Sequence, residues 1–155
     1  MKVATISEIK KELERQEVTE LLEVCLRLAK FKKENKELLS FLLFESDDVS
    51  YYIQKVKNEV EEQFLQINKS NIYFVKKSVR KILRNVNKQI RFSGSKQLEA
   101  ELLIHFCNCI VTSSIQVNNS RQLQNLYENQ IKKIQDALSL LHPDLQYDLR
   151  KQIIK

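Results

Sequence analysis

The chain has 155 residues, of which 43% are hydrophobic and 30% charged, and it carries a formal net charge of +6. That balance excludes a disordered chain and fits one globular helical domain, 1–155, able to bury a core without disulfides or metals. Gly94 is the only glycine and Pro143 the only proline. Their scarcity excludes a fold built on hairpins, which need positive φ or pre-bent turn positions, and with it any glycine-rich phosphate loop, nucleophile elbow or dinucleotide fingerprint. The expected fold class is all-α, a compact antiparallel bundle or helical-hairpin array of about seven or eight helices.

Thr5 opens the first helix with the capping-box pattern Thr5-x-x-Glu8, and Ile6, Ile9 and Leu13 share its apolar side. A break near residues 16–18 precedes a second helix, about Thr19 to Lys33, whose buried side is expected to be Leu21, Leu22, Cys25, Leu26, Leu28 and Ala29. Asn35 is placed to cap a third, short helix ending near Phe44, with Leu38, Leu39, Leu42 and Leu43 apolar. Carboxylates favour the positive end of a helix, so Glu45, Asp47 and Asp48 announce a fourth one that runs to about Ile67. Val49, Tyr52 or Ile53, Val56, Val60, Phe64 and Ile67 recur along it at steps of three and four. Tyr51 and Tyr52 are expected at the edge of the core.

After a turn at residues 68–71, Ile72, Val75, Val79, Ile82, Val86 and Ile90 mark a fifth helix to about Phe92, which Gly94 ends. Ser93 or Ser95 opens the sixth, expected to reach Gln116. From Leu102 to Ser120 there is no Asp, Glu, Lys or Arg, and Leu102 to Val111 is apolar on nearly every side, the mark of a central buried helix. Its end, Val111 to Val117, is rich in β-branched residues, which weakens helix there. Asn118, Asn119 and Ser120 make the next turn. A seventh helix carries Leu123, Tyr127, Ile131, Ile134, Leu138 and Leu141. His142 is a turn or cap residue, and Pro143 starts a last helix with Leu145, Leu149 and Ile153 or Ile154 inward.

Charge is distributed unevenly. Between Gln63 and Leu98 there is no Asp or Glu, but there are nine basic residues: Lys69, Lys76, Lys77, Arg80, Lys81, Arg84, Lys88, Arg91 and Lys96. Without them the chain has 17 basic against 20 acidic residues, so its excess positive charge lies in and beside one helix. At about 100° per residue, with Lys76 at zero, Arg80, Arg91, Arg84, Lys77, Lys88 and Lys81 follow at about 40°, 60°, 80°, 100°, 120° and 140°. The apolar stripe of that helix occupies about 240° to 340°. Like charges four apart, such as Lys76 and Arg80 or Arg80 and Arg84, cost a few tenths of a kcal/mol (~0.2–0.5) each.

Three readings of this stripe compete. It is a solvated face neutralised by Glu59, Glu61, Glu62, Asp47 and Asp48 of the fourth helix. Or it is a nucleic-acid backbone site, with Asn85, Asn87 and Gln89 adding hydrogen bonds, although no aromatic interleaves with it. Or it faces an acidic protein or an anionic surface; a membrane-lying helix would need its apolar face unburied, which the regular core stripe opposes.

Chemistry-bearing residues are few. His105 and Cys109, four apart, share a helix face and form the only candidate nucleophile pair, but Leu98 and Leu102 share that face too, so a buried, hydrogen-bonded histidine is expected. One His and one Cys do not make a metal site. Three cysteines without metal-type spacing, Cys25, Cys107 and Cys109, read as free thiols of a reducing cytoplasm. No apolar run suits a membrane span, and the charged opening lacks a secretory signal.

The opening, Ser7-Glu8-Ile9-Lys10-Lys11-Glu12-Leu13, then Glu20-Leu21-Leu22 and Leu26 to Phe31, resembles a family of small all-helical bacterial proteins of unknown function, over about the first forty residues. The resemblance implies a helical fold and a cytoplasmic location, with no activity or site to carry over. The function expected is a non-catalytic binding or scaffolding module, with no cofactor, no catalytic or metal residues and no membrane attachment. Its partner would be an unidentified protein or a second copy. The alternative is a nucleic-acid-associated protein using Lys76, Lys77, Arg80, Lys81, Arg84, Lys88 and Arg91.

Overall fold

Most helix start and stop signals in the sequence lie where the helices begin and end in the computed structural model, which describes residues 1–155. There are eight α-helices and no strand: α1 Ile6–Leu13, α2 Val18–Phe31, α3 Lys33–Ser40, α4 Val49–Leu65, α5 Ile72–Ser93, α6 Lys96–Thr112, α7 Arg121–Ser139 and α8 Pro143–Lys151. A π-helical turn, Phe41–Glu45, precedes α4, and a 3₁₀ turn, Val117–Asn119, precedes α7. The fold is an all-α bundle, and no helix is long and apolar enough to cross a membrane.

The chain forms two compact units, Met1–Phe44 and Glu45–Lys155. In the first, the capping box at Thr5 is complete: Glu8 N–H donates to Thr5 Oγ1 at 3.3 Å and Thr5 N–H donates to Glu8 Oε2 at 2.7 Å. α2 and α3 pack on each other. Asn35 lies inside α3 rather than capping it, and its Nδ2 donates to the carbonyl of Leu28 at 2.8 Å. The apolar side expected for α2 is not buried; Leu22, Leu26 and Leu28 are each about half exposed. Helices of 8, 14 and 8 residues offer too little surface to enclose one another.

The second unit holds the core. α6 is its centre, packed against α4, α5 and α7. Nine of its 17 residues are buried, including Leu98, Leu102, Leu103, Ile104, Phe106 and Ile110. Phe106 meets Phe64 of α4 with ring centroids 5.7 Å apart. The helix ends at Thr112, four residues short of Gln116. Ser113 and Ser114 compete for backbone hydrogen bonds after the β-branched pair Val111 and Thr112, and Ser114 takes a positive φ of 58°.

α4 buries Tyr52, Ile53, Val56, Val60 and Phe64, while Tyr51 is exposed. Asp48 caps α4 by accepting from Tyr51 N–H at 3.0 Å. α5 is capped by Asn71, which accepts from Tyr73 N–H at 2.8 Å, and stops at Gly94, whose φ is +64°. At the junction before α8, His142 Nδ1 accepts from Asp144 N–H at 3.2 Å, with Pro143 in the first turn. Val75, Val79, Ile82 and Val86 bury one face of α5, each worth about 1.5–3 kcal/mol. That outweighs the repulsion of about 0.2–0.5 kcal/mol for each like-charge pair on the opposite face. Burial therefore fixes the rotation of α5 and turns its basic arc outward.

Candidate nucleic-acid interface

With α5 held by its apolar face, Lys77, Arg80, Lys81, Arg84 and Arg91 are exposed, and Lys76 is half-buried. No carboxylate comes within ion-pairing distance of these six. Lys88 is half-buried and already has a partner. Lys69 and Lys96, which flank the stripe, are also engaged: Lys69 donates to the Ser113 carbonyl, and Lys96 pairs with Glu99 at 2.8 Å.

Two of the acids at α4, Glu61 and Asp48, serve other partners. Glu61 Oε1 is 3.2 Å from His105 Nε2, and Asp48 caps its own helix. Lys55 pairs with Glu45 at 2.7 Å, with Glu59 adding to the negative field around it, and that pairing raises the Lys55 pKa. Lys57 is 3.4 Å from Glu101. The α4 acids therefore form no ion pair with Lys76, Lys77, Arg80, Lys81, Arg84 or Arg91.

The arc borders a groove of about 590 Å³ between α5 and the start of α7. Tyr73, Lys76, Lys77, Arg80, Leu83, Arg84, Asn87 and Gln122 line it. Gln122 is the residue that α7 contributes. Lys76 Nζ and Arg80 Nη2 both donate to Gln122 Oε1, each at 3.2 Å. Two cations thus converge on one neutral acceptor. An anionic oxygen at that point would accept charge-assisted hydrogen bonds, about twice as strong as those to a neutral group.

Of the three amides flanking the stripe, only Asn87 reaches the groove. Gln89 accepts from the Tyr52 hydroxyl and donates to Asn85 Oδ1 at 3.4 Å, which holds both on the α4 side. The absence of an interleaved aromatic is also corrected. Tyr73 sits three residues before Lys76 and seven before Arg80, a spacing that puts it within the basic arc. It is 60% exposed. Its signal was present in the helical spacing. Gln122 had none, because its approach depends on how α7 packs.

The other candidate pair, His105 and Cys109, is poorly arranged for proton transfer. His105 Nε2 lies 3.2 Å from the Lys57 carbonyl and from Glu61 Oε1, two acceptors, so this nitrogen carries the proton. It is also the nitrogen nearest Cys109 Sγ, at 3.6 Å, and has no lone pair with which to accept the thiol proton. Burial pushes Cys109 up to about 11, helped by the charge of Glu61, and Cys107 up to about 12. Both stay thiols at neutral pH. No three residues of the His, Cys, Asp and Glu types gather in a metal-binding cluster. Comparison with protein-family models, with curated proteins and with solved structures finds no match for this chain.

Proposed function

We propose that this protein is a non-catalytic binding module whose ligand is the phosphate backbone of nucleic acid, held along the basic arc of α5. The observation that carries the reading is that Lys76, Lys77, Arg80, Lys81, Arg84 and Arg91 have no carboxylate partners on a helix whose rotation is fixed by core packing. A row of uncompensated cations about 23 Å long, at 1.5 Å per residue from Lys76 to Arg91, matches a polyanion better than a single small acid. Binding is sequence-tolerant, because nothing in the arc is arranged to read base edges.

The test is binding of fluorescent nucleic acid at low and moderate salt. Affinity should fall steeply as salt rises, since each neutralised phosphate releases a counterion. The variant combining Lys77→Glu, Arg80→Glu and Arg84→Glu should abolish binding and keep its helical content, as these side chains lie off the buried face. Binding that is absent at low salt, or that survives the triple variant, sinks this reading. The arc would then be a surface for an acidic protein.

A further inference from the structure

Tyr73, Lys76, Arg80 and Gln122 make the groove more specific than a plain row of charges. We infer that it selects single-stranded over double-stranded nucleic acid, with Tyr73 as the stacking platform for one base and Lys76 and Arg80 as the clamp on the adjoining phosphate. This rests on the reading of the α5 arc as a backbone site.

Tyr73 is the only aromatic that lines the groove, and it stands in the first turn of α5. Phe74 braces it, with ring centroids 5.8 Å apart and planes 67° apart, which leaves a face of the Tyr73 ring open. Both rings are accessible, at 60% and 44% exposed. A duplex keeps its base faces inside the stack and offers Tyr73 nothing but its edges and backbone. A single strand offers a base face, and stacking is sequence-tolerant because every base has one.

The clamp lies one turn further along the helix. Lys76 and Arg80 are held toward a common point by Gln122, at 3.2 Å each, so little side-chain freedom remains to be lost when a phosphate oxygen displaces or joins the amide. Lys77 and Arg84 border the same groove and continue the backbone track. The cap at the head of α5 uses the backbone N–H of Tyr73, donated to Asn71, and not its ring, so a substitution of the side chain leaves the cap in place.

The experiment compares a labelled RNA of about twelve nucleotides, single-stranded and as a duplex of the same sequence, by fluorescence anisotropy at one low salt concentration. The wild-type protein should bind the single strand at least tenfold more tightly. Tyr73→Ala should cost about fivefold to a hundredfold on the single strand and leave the duplex unchanged, the range expected for one stacked base. Tyr73→Phe should bind like wild type, because it keeps the ring. The chain has five tyrosines and no tryptophan, so tyrosine emission gives a second readout. Single-strand binding should quench part of it, and that part should vanish in Tyr73→Phe. Equal affinity for both forms, or a Tyr73→Ala variant that binds the single strand like wild type, overturns the inference while backbone binding stands. No binding of either form removes backbone binding, and the inference with it.

Discussion

Lys76 and Arg80, one turn apart on α5, donate to the same oxygen, Oε1 of Gln122, each at 3.2 Å. Two like charges that would otherwise separate are gathered there around a neutral acceptor supplied by another helix. The oxygen marks where an anion would sit.

Gln122→Glu converts that marker into an internal counterion. The carboxylate would lie in reach of both cations, and the side chain is exposed, so the fold should be unaffected or slightly stabilised. Nucleic-acid affinity should drop several-fold, and the slope of log affinity against log salt should fall by about 1–2. Gln122→Ala, which removes the neutral acceptor that gathers the two cations without adding a counterion, should weaken binding less than Gln122→Glu and leave the salt slope unchanged. A Glu variant with unchanged affinity and slope would place the ligand elsewhere.

Phe106 has no exposed surface and packs on Phe64. Phe106→Ala should cost about 3–5 kcal/mol in denaturant unfolding, through lost burial and the cavity left behind. A loss below about 1 kcal/mol would mean that α6 is not the centre of the core.

His105 gives the fold a pH dependence. Burial lowers its pKa from the ordinary 6.5, with the Lys57 charge acting the same way and Glu61 opposing. The unfolded chain therefore binds more protons than the folded one just below pH 6.5. The stability due to keeping this ring neutral is complete above that value and is lost as pH falls through the folded pKa. His105→Gln should flatten the stability profile measured by urea unfolding below pH 6.5. An equal slope in the variant would assign the dependence to other groups.

Gly94 adopts a φ of +64°, and a Cβ built on it would meet nothing within 4 Å. The cost of Gly94→Ala is therefore conformational rather than steric crowding by neighbours, about 1–2 kcal/mol. Gly94→Asn should cost less, since Asn tolerates the left-handed region. Thermal unfolding of the two variants gives the order, and an Ala variant as stable as wild type would refute it.

Cys25 is exposed, whereas Cys107 and Cys109 are buried and pushed up to about 12 and 11. A chromogenic thiol reagent near pH 8 should modify one thiol in the native protein and all three after denaturation. Rapid modification of three native thiols would show that α6 opens readily.

Much of this protein was legible in its residues because helices are local objects. One glycine and one proline, the capping box at Thr5, the stop at Gly94 and the uncharged run through α6 set the number of helices, most of their ends and the identity of the central one. The 3.6-residue period alone separated the basic arc of α5 from its apolar stripe, although the place of Tyr73 within that arc, which the same period encodes, was missed. Tertiary packing decided the rest. An ion pair joins residues far apart in sequence, so no local pattern could show that Glu61 would turn to His105 and Glu101 to Lys57, or that no acid would reach Arg80 and Arg84. The approach of Gln122 to Lys76 and Arg80 spans 46 and 42 positions. The exposure of α2 likewise depended on how much neighbouring surface was available, which periodicity does not encode.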